Sequence, residues 1–467
     1  MMESKEQPMH FRTSVFAMGL TNRLGAFAFL LALATIALAP DVCSAARTIT
    51  YEEAIHIALE QNLALLLADN QRDIRSVSVS EARWRFLPDL RFSLSGSESF
   101  SKTSNQDGGT TWESGRSARA GLSSSLSLFD GLADFSSLRE ARFAQAAGEL
   151  DYRRARQTVV FQVITDYLAL IEATEQERVR QESLAAQEEQ TEKVRAFVEQ
   201  GERPINELYQ QEANVAAARL ALVEARRTRE LSRVDLVQTL QLDPVEEIDF
   251  AIPPLDEPAP RGDGATIETL IETASRERAD LAAELQRFSA SEEQVVQAKA
   301  KRWPTLSLSG SFTSQYSDAS EDGILEQFDD RQSAGLGLSL TYPLFDGMET
   351  RNGIRRAALG LESAELGLAG LRQDVALQVL RAVLDRNAAR ESLEAATARL
   401  SAARQALFYT NERYLAGAST LFEVTLARAD LISAESGEVS ARYRLLWQDR
   451  LIEYYVGTLD PGAGLGG

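Results

Sequence analysis

The chain has 467 residues, with 49 Lys plus Arg against 69 Asp plus Glu, for a formal net charge of −20. That balance argues against nucleic acid as a partner, because neutralising phosphates takes clustered basic side chains. With one cysteine and two histidines in all, disulfide frameworks and Cys–His chemistry are excluded as well.

Residues 1–45 read as a secretory signal peptide. Arg12 and Arg23 precede the apolar run from Leu24 to Ala39, and Cys43-Ser44-Ala45-Ala46 offers small residues for cleavage. The run falls short of the roughly 20 apolar residues of a transmembrane helix. Cleavage near Ala45 or Ala46 is favoured over lipid attachment at Cys43, because Pro40-Asp41-Val42 departs from a small-residue lipobox. The remaining chain keeps His56 and no cysteine, and no later apolar run is long enough to span a membrane as a helix.

A first unit is predicted over residues 46–242. Thr50 to Leu87 has helical periodicity, with Ala54, Ile57, Ala58, Leu65 and Ala68 on one face, and Pro88 stops it. The period then falls to two over 89–130. Leu90, Phe92 and Leu94 alternate with Arg91, Ser93 and Ser95; after a loop at Asp107-Gly108-Gly109, Leu122, Leu126 and Leu128 resume the pattern. Leu128-Phe129-Asp130-Gly131 closes the hairpin and opens a helix running to about Gln200. Its first half carries a broad stripe, Val159, Val160, Val163, Ile164, Tyr167, Leu168 and Ile171, which thins from Glu172 to Lys193. The turn Gln200-Gly201-Glu202-Arg203-Pro204 leads into a further helix with Leu208, Val215 and Leu222 at heptad spacing, a coiled-coil seam.

Residues 243–264, rich in proline, form a connector, and the unit then repeats over 265–459 at an ungapped offset of 216 residues, Leu128 to Leu344. Pro88 returns as Pro304, Gly201 as Gly417, Glu207 as Glu423, and the tetrapeptide as Leu344-Phe345-Asp346-Gly347. The second hairpin, 305–346, alternates Leu306, Leu308, Phe312, Leu336, Leu338, Leu340, Tyr342 and Leu344 with Ser, Thr and Gly. The second turn, Ala416-Gly417-Ala418-Ser419, offers Ser419 as the cap of the next helix, and residues 460–467 form a Gly-rich tail expected to be disordered.

Strands with one apolar face and one face of Ser, Thr and Gly fit a membrane barrel with lipid outside and water inside. A soluble sandwich alternates too, but two hairpins separated by long helices, behind an export signal, favour the barrel. Four strands cannot close one, since the smallest have about eight, and open edges are not tolerated in lipid. The barrel is therefore shared among several chains. Asp130, Gly131, Asp346 and Gly347 are assigned to the strand–helix junctions. No catalytic constellation stands out. His56 reads as a helix-surface residue, and the acidic stretch Asp318, Glu321, Asp322, Glu326, Asp329 and Asp330 lacks the spacing of a calcium loop. No enzyme, metal or cofactor is expected.

The duplicated helix–hairpin–helix plan, the paired prolines, the Leu-Phe-Asp-Gly strand exits and the glycine turns followed six residues on by an acid resemble the outer-membrane efflux protein family of TolC-type channels. The resemblance covers nearly all of the chain after the signal. It implies a mainly α fold with a small β part: a long periplasmic coiled-coil α-barrel plus a transmembrane β-barrel shared among three chains. It implies a passive exit duct for a tripartite efflux pump or type I secretion system, working as a homotrimer in outer-membrane lipid with a periplasmic adaptor and an inner-membrane transporter. By position, Tyr414 falls on the family's gating tyrosine, Glu207 on its acidic partner and Glu423 on the first constriction carboxylate. Gly201, Gly417 and Ser419 mark the tips that meet the adaptor. Ser419 stands where TolC has a gating arginine, and Leu426 where it has a second acid. The two glutamates serve equally well as first-turn residues facing a helix dipole. A periplasmic coiled-coil scaffold or adaptor without a pore is the competing reading.

Overall fold

The structure, a computed structural model, describes residues 47–104, 110–245, 248–252 and 266–459. The signal segment, the Asp107-Gly108-Gly109 loop, most of the connector and the tail lie outside these residues. By internal contacts the chain divides into one unit of Met1–Thr48 with Glu247–Asp249, and a second holding the rest. Of the first, only parts of two three-residue strands are described.

The first copy contains β1 (Arg47–Ile49), α1 (Tyr51–Gln61), α2 (Leu63–Trp84), β2 (Arg91–Ser104), β3 (Thr110–Phe129), α3 (Ala133–Glu199) and α4 (Ile205–Leu240). The second contains β4 (Ile248–Phe250), α5 (Ile267–Glu277), α6 (Ala279–Ala300), β5 (Thr305–Ser317), α7 (Ile324–Asp330), β6 (Gln332–Thr341), α8 (Glu349–Leu415) and α9 (Leu421–Val456). Apart from α7, each second-copy helix begins and ends 216 residues after its first-copy counterpart. The fold is thus mainly helical, with a four-stranded antiparallel sheet in the order β2-β3-β5-β6 and a pair β1-β4.

Three details differ from the sequence reading. The predicted helix Thr50–Leu87 is broken at Asn62, which is extended (φ −64°, ψ 123°). Its side chain accepts from the N–H groups of Ala64 and Leu65, at 3.0 and 3.4 Å, so it caps α2 while apolar periodicity runs on across the break. The second copy breaks at Arg278 (φ −68°, ψ 118°), where the buried guanidinium pairs with Asp280 at 2.6 Å. Next, β6 stops at Thr341, because Pro343 has no N–H to give a ladder; the matching stretch of β3 carries a register shift between Ser127 and Phe129. Lastly, the acidic stretch after β5 is not all loop. It contains the two-turn α7, whose buried Gln327 accepts from Ser317 N–H at 3.0 Å and donates to Asp322 O at 2.7 Å.

The sheet sorts its faces cleanly. Ladder partners Phe92–Leu122, Leu122–Phe312, Leu126–Leu308 and Leu308–Leu338 put the apolar side chains on one face. Ser93–Gly121, Gly121–Thr313, Ser123–Ser311 and Ser307–Ser339 put small polar residues on the other. The apolar face stays exposed within the chain, as at Phe92, Leu94, Leu336 and Leu340; a lipid-facing surface has this character. No described helix is long and apolar enough to cross a membrane.

At about 1.5 Å per residue, α3 and α8, with 67 residues each, are roughly 100 Å long. Near the sheet α3 packs on α2 and α6, and α8 on α6; beyond the helix breaks α3 packs on α4 and α9, and α8 on α9. The α3 stripe from Val159 to Ile171 is buried as its periodicity predicts, each large side chain contributing about 1.5–3 kcal/mol. Farther along, where the stripe thins, burial continues through polar residues. Gln211 donates to the Gln187 side-chain oxygen at 2.6 Å, and both are buried, so the seam satisfies its own polar groups and stays closed.

Candidate functional site

The two helix tips are built alike. In the first, Gly201 N–H donates to Val198 O and Glu202 N–H to Phe197 O, at 3.0 and 2.9 Å; in the second, Gly417 donates to Tyr414 O and Ala418 to Arg413 O, at 3.0 and 2.8 Å. This paired pattern closes a helix through a left-handed residue, and Gly201 and Gly417 have φ of +75° and +72°. No atom lies within 4 Å of where a Cβ would stand on either. Their glycine identity answers to backbone conformation alone.

The tips are joined by an apolar knot. Val194 of α3, Tyr414 of α8, and Leu421 and Val424 of α9 are buried together, with Val198, Leu208 and Leu407 against them. Into this knot the structure brings two of the sequence-predicted residues. The Tyr414 hydroxyl donates to Glu207 Oε2 at 3.1 Å. Arg203, which the sequence reading passed over, completes the group. Its guanidinium stacks over the Tyr414 ring at 4.6 Å, donates to Tyr414 O at 3.2 Å and lies 4.0 Å from Glu207. The signal for it was present as the i, i+4 spacing of Arg203 and Glu207. Burial, followed by the charge and hydrogen bond of Glu207, pushes the Tyr414 phenol up to about 12, with Arg203 opposing. The phenol therefore stays protonated and remains a donor at neutral pH.

Glu423 belongs to a separate group. Thr420, not Ser419, is the N-cap of α9, accepting from Glu423 N–H at 3.3 Å. Ser419 lies one residue too early to cap and instead donates to Glu423 Oε2 at 2.8 Å. It is 7% exposed, so its hydroxyl is turned inward onto the carboxylate. Arg413 stands 3.8 Å away. The Ser419 hydroxyl, then Arg413 and Thr420, hold the Glu423 carboxyl below its ordinary pKa. Glu207 and Glu423 both sit in the first turn of a helix, α4 and α9 respectively.

At the opposite end of α3 and α8, Asp130 accepts from Asp134 N–H at 2.8 Å, and Asp346 from Met348 and Thr350 N–H at 3.1 and 2.8 Å. The next two residues in each copy are left-handed, Gly131 and Leu132 at +74° and +73°, Gly347 and Met348 at +64° and +72°. Those consecutive left-handed residues turn the strand into the helix. His56 is exposed beside Glu60, at 3.6 Å. No group of three or more His, Cys, Asp or Glu placed to hold a metal ion occurs among the described residues.

The family model described as outer membrane efflux protein matches residues 54–240 and 270–456, two blocks at the same 216-residue offset. Protein CyaE of Bordetella pertussis is 29% identical over 396 residues, which is 83% of this chain and 79% of that protein. The outer membrane protein VceC from Vibrio cholerae has a TM-score of 0.72 at 19% identity, covering 87% of this chain and 96% of that one. The Campylobacter jejuni CmeC outer membrane channel has a TM-score of 0.74 at 20% identity, covering 89% and 87%. These structures establish the fold, and the family model covers most of the chain. The chain therefore belongs to the outer membrane efflux protein family, as a TolC-type outer-membrane channel with a periplasmic extension, serving efflux or type I secretion and performing no enzymatic reaction.

Proposed function

We propose that three copies of this chain close into one duct, that its helix tips dock on a periplasmic adaptor and an inner-membrane transporter, and that Tyr414, Glu207 and Glu423 form its entrance. The supporting observation is that each junction between the two repeats is used once inside the chain and left open once at its ends. The sheet joins the copies through β3–β5 and leaves β2 and β6 as free edges. The helices join them through α3–α9 and leave the equivalent faces of α8 and α4 bare.

Equivalent residues differ accordingly. Leu168 is 4% exposed but its counterpart Leu384 is 57%; Leu421 is 5% exposed but Ile205 is 57%; Val439 is 6% exposed but Val223 is 60%. Covering those bare faces with the next copy buries them in the same way and makes a head-to-tail ring. Family members work as trimers, and three copies supply twelve strands, within the range of membrane barrels.

At the tips, Leu415, Phe422 and Leu426 remain exposed beside the Gly417 turn, an apolar surface suited to a protein partner. Ser419, expected at that surface from its position, instead positions Glu423. The entrance reading rests on the Tyr414–Glu207 bond, which ties the second tip to the helix leaving the first. The reading is tested with outer-membrane fractions and planar bilayers. A heat-labile trimer with single-channel conductance supports it; a periplasmic monomer without conductance, as a coiled-coil scaffold would give, overturns it.

A further inference from the structure

Resting on the ring reading above, we propose the residue-by-residue register of the seam that closes the barrel. β6 of one copy pairs with β2 of the next so that Ser339 faces Ser95, Leu340 faces Leu94, Leu338 faces Gly96 and Gly337 faces Ser97.

The register follows from the repeat. Within the chain the two hairpins already share one pairing, since Phe92–Leu122 in the first becomes Leu308–Leu338 in the second when both are advanced by 216 residues. The junction between copies, β3–β5, pairs Ser123 with Ser311, Ser124 with Gly310, Leu122 with Phe312 and Gly121 with Thr313. Advancing the β3 members by 216 lands on β6, and setting the β5 members back by 216 lands on β2. The four pairs above are the result.

The side chains present there accept that register. Its polar row, Thr341–Ser93, Ser339–Ser95, Gly337–Ser97 and Gly335–Ser99, sets only small residues opposite one another and continues the Ser, Thr and Gly face of the other three strands. Its apolar row sets Leu340 against Leu94 and gives Leu338 the open space over Gly96. A slip by one residue would turn β6 over and send its leucines into the lumen. All ten residues of β6 are exposed in the single chain, as an edge awaiting a partner requires. Leu126–Leu308 transposes to Tyr342–Phe92, so β6 gains a residue past Thr341 when the ring closes.

Cysteine pairs read the register directly. Directly opposed residues have Cα atoms about 4.5–5.5 Å apart, within disulfide reach, whereas the diagonal neighbours at about 7–8 Å are beyond it. Chains carrying Ser95→Cys with Ser339→Cys, or Gly96→Cys with Leu338→Cys, are oxidised in membranes and run denatured without reductant. Single variants control for Cys43, the one native cysteine. The expected product is a covalent trimer, at least about tenfold more abundant than with the slipped pairs Ser93→Cys/Ser339→Cys and Ser97→Cys/Ser339→Cys, which lie beyond bonding distance. Native mass spectrometry on the same samples separates the two levels. A trimer that cross-links only through a slipped pair, or through none, overturns the register and leaves the ring standing; a monomer overturns both.

Discussion

Replacing Gly347 with alanine should weaken the assembled channel far more than the folded chain. Gly131 and Gly347 are the same residue of the two strand–helix junctions, with φ of +74° and +64°. A Cβ on Gly131 would meet Ala300 O at 2.5 Å and Trp303 Cβ at 3.0 Å, whereas one on Gly347 would meet nothing within 4 Å. Moved to the ring-closing seam, the positions of Ala300 and Trp303 are taken by Trp84 and Leu87 of the neighbouring copy, both exposed in the single chain. Alanine at either glycine pays about 1–2 kcal/mol for the left-handed backbone. Crowding a backbone oxygen adds about 1–3 kcal/mol. For Gly131→Ala both costs fall within the chain and reduce the yield of folded protein. For Gly347→Ala the second cost arises only on assembly, and at three seams. Gly201→Ala is the control, because Gly201 has a φ of +75° with nothing within 4 Å of a Cβ and its repeat partner Gly417 is equally open. The assay is the temperature at which detergent-resistant trimers fall to monomers. Gly347→Ala trimers should dissociate well below Gly201→Ala trimers; equal temperatures would refute the transposition of the junction to the seam.

Three further outcomes are expected. Tyr414→Phe removes a hydrogen bond to a carboxylate, worth about 1.5–3 kcal/mol, and should raise open probability in planar bilayers by about tenfold or more at 1.4 kcal/mol per decade; an unchanged open probability would make the pair a packing contact only. Glu423→Ala should reduce cation selectivity without loss of trimer, because three carboxylates ringing an entrance attract cations; retained selectivity would reduce Glu423 to a first-turn residue. Tyr51, Tyr167, Tyr414 and Tyr443 are each pushed up to about 12, burial being the largest cause in every case. Their unfolded counterparts ionise near 10, so the stability they hold is complete below that pH and is lost as pH climbs from about 10 to about 12. Alkaline titration followed by tyrosine absorbance and helical circular dichroism should show ionisation and unfolding together; ionisation without unfolding would count against the coupling.

Much of this architecture was legible because it is written twice. The Leu-Phe-Asp-Gly pair located both strand exits, and the glycine turns located both tips to the residue. The misses have local causes. Asn62 breaks a helix with its own side chain as the cap, so neither proline nor glycine marks the place, and hydrophobic spacing survives the break. Thr420 caps α9 because it is the residue next to Leu421, while Ser419, equally suitable by type, is drawn to Glu423. The Gln187–Gln211 contact was invisible to hydrophobic patterning, since two glutamines that satisfy one another bury as readily as leucines yet read as a solvated face. Arg203 was passed over for another reason: its work is done on Tyr414, more than two hundred residues away in sequence.

The two uses of the helical junction have diverged in chemistry. Inside the chain, α3 and α9 are tied by polar bonds: Gln176 Nε2 to Ser436 O at 2.8 Å, Ser440 Oγ to Glu172 Oε1 at 2.7 Å, and Arg428 Nη1 to Ala186 O at 2.6 Å. At the seam the corresponding pairs are Ser392 with Leu220, Glu224 with Ala388, and Glu212 with Ala402. A glutamate carboxylate cannot donate to a carbonyl as Arg428 does, and Ala388 offers nothing to Glu224. What the seam keeps is apolar area, including Leu384, Leu377 and Leu231, all exposed in the single chain. A junction formed while the chain folds must be chosen from many compact alternatives, and buried donor–acceptor pairs penalise the wrong ones because an unpaired polar group is costly there. A seam formed between finished chains has its register set by the sheet and the tips, and needs only enough apolar surface to hold. The same duplicated surface has thus been tuned toward specificity where the chain meets itself and toward adhesion where it meets its copy.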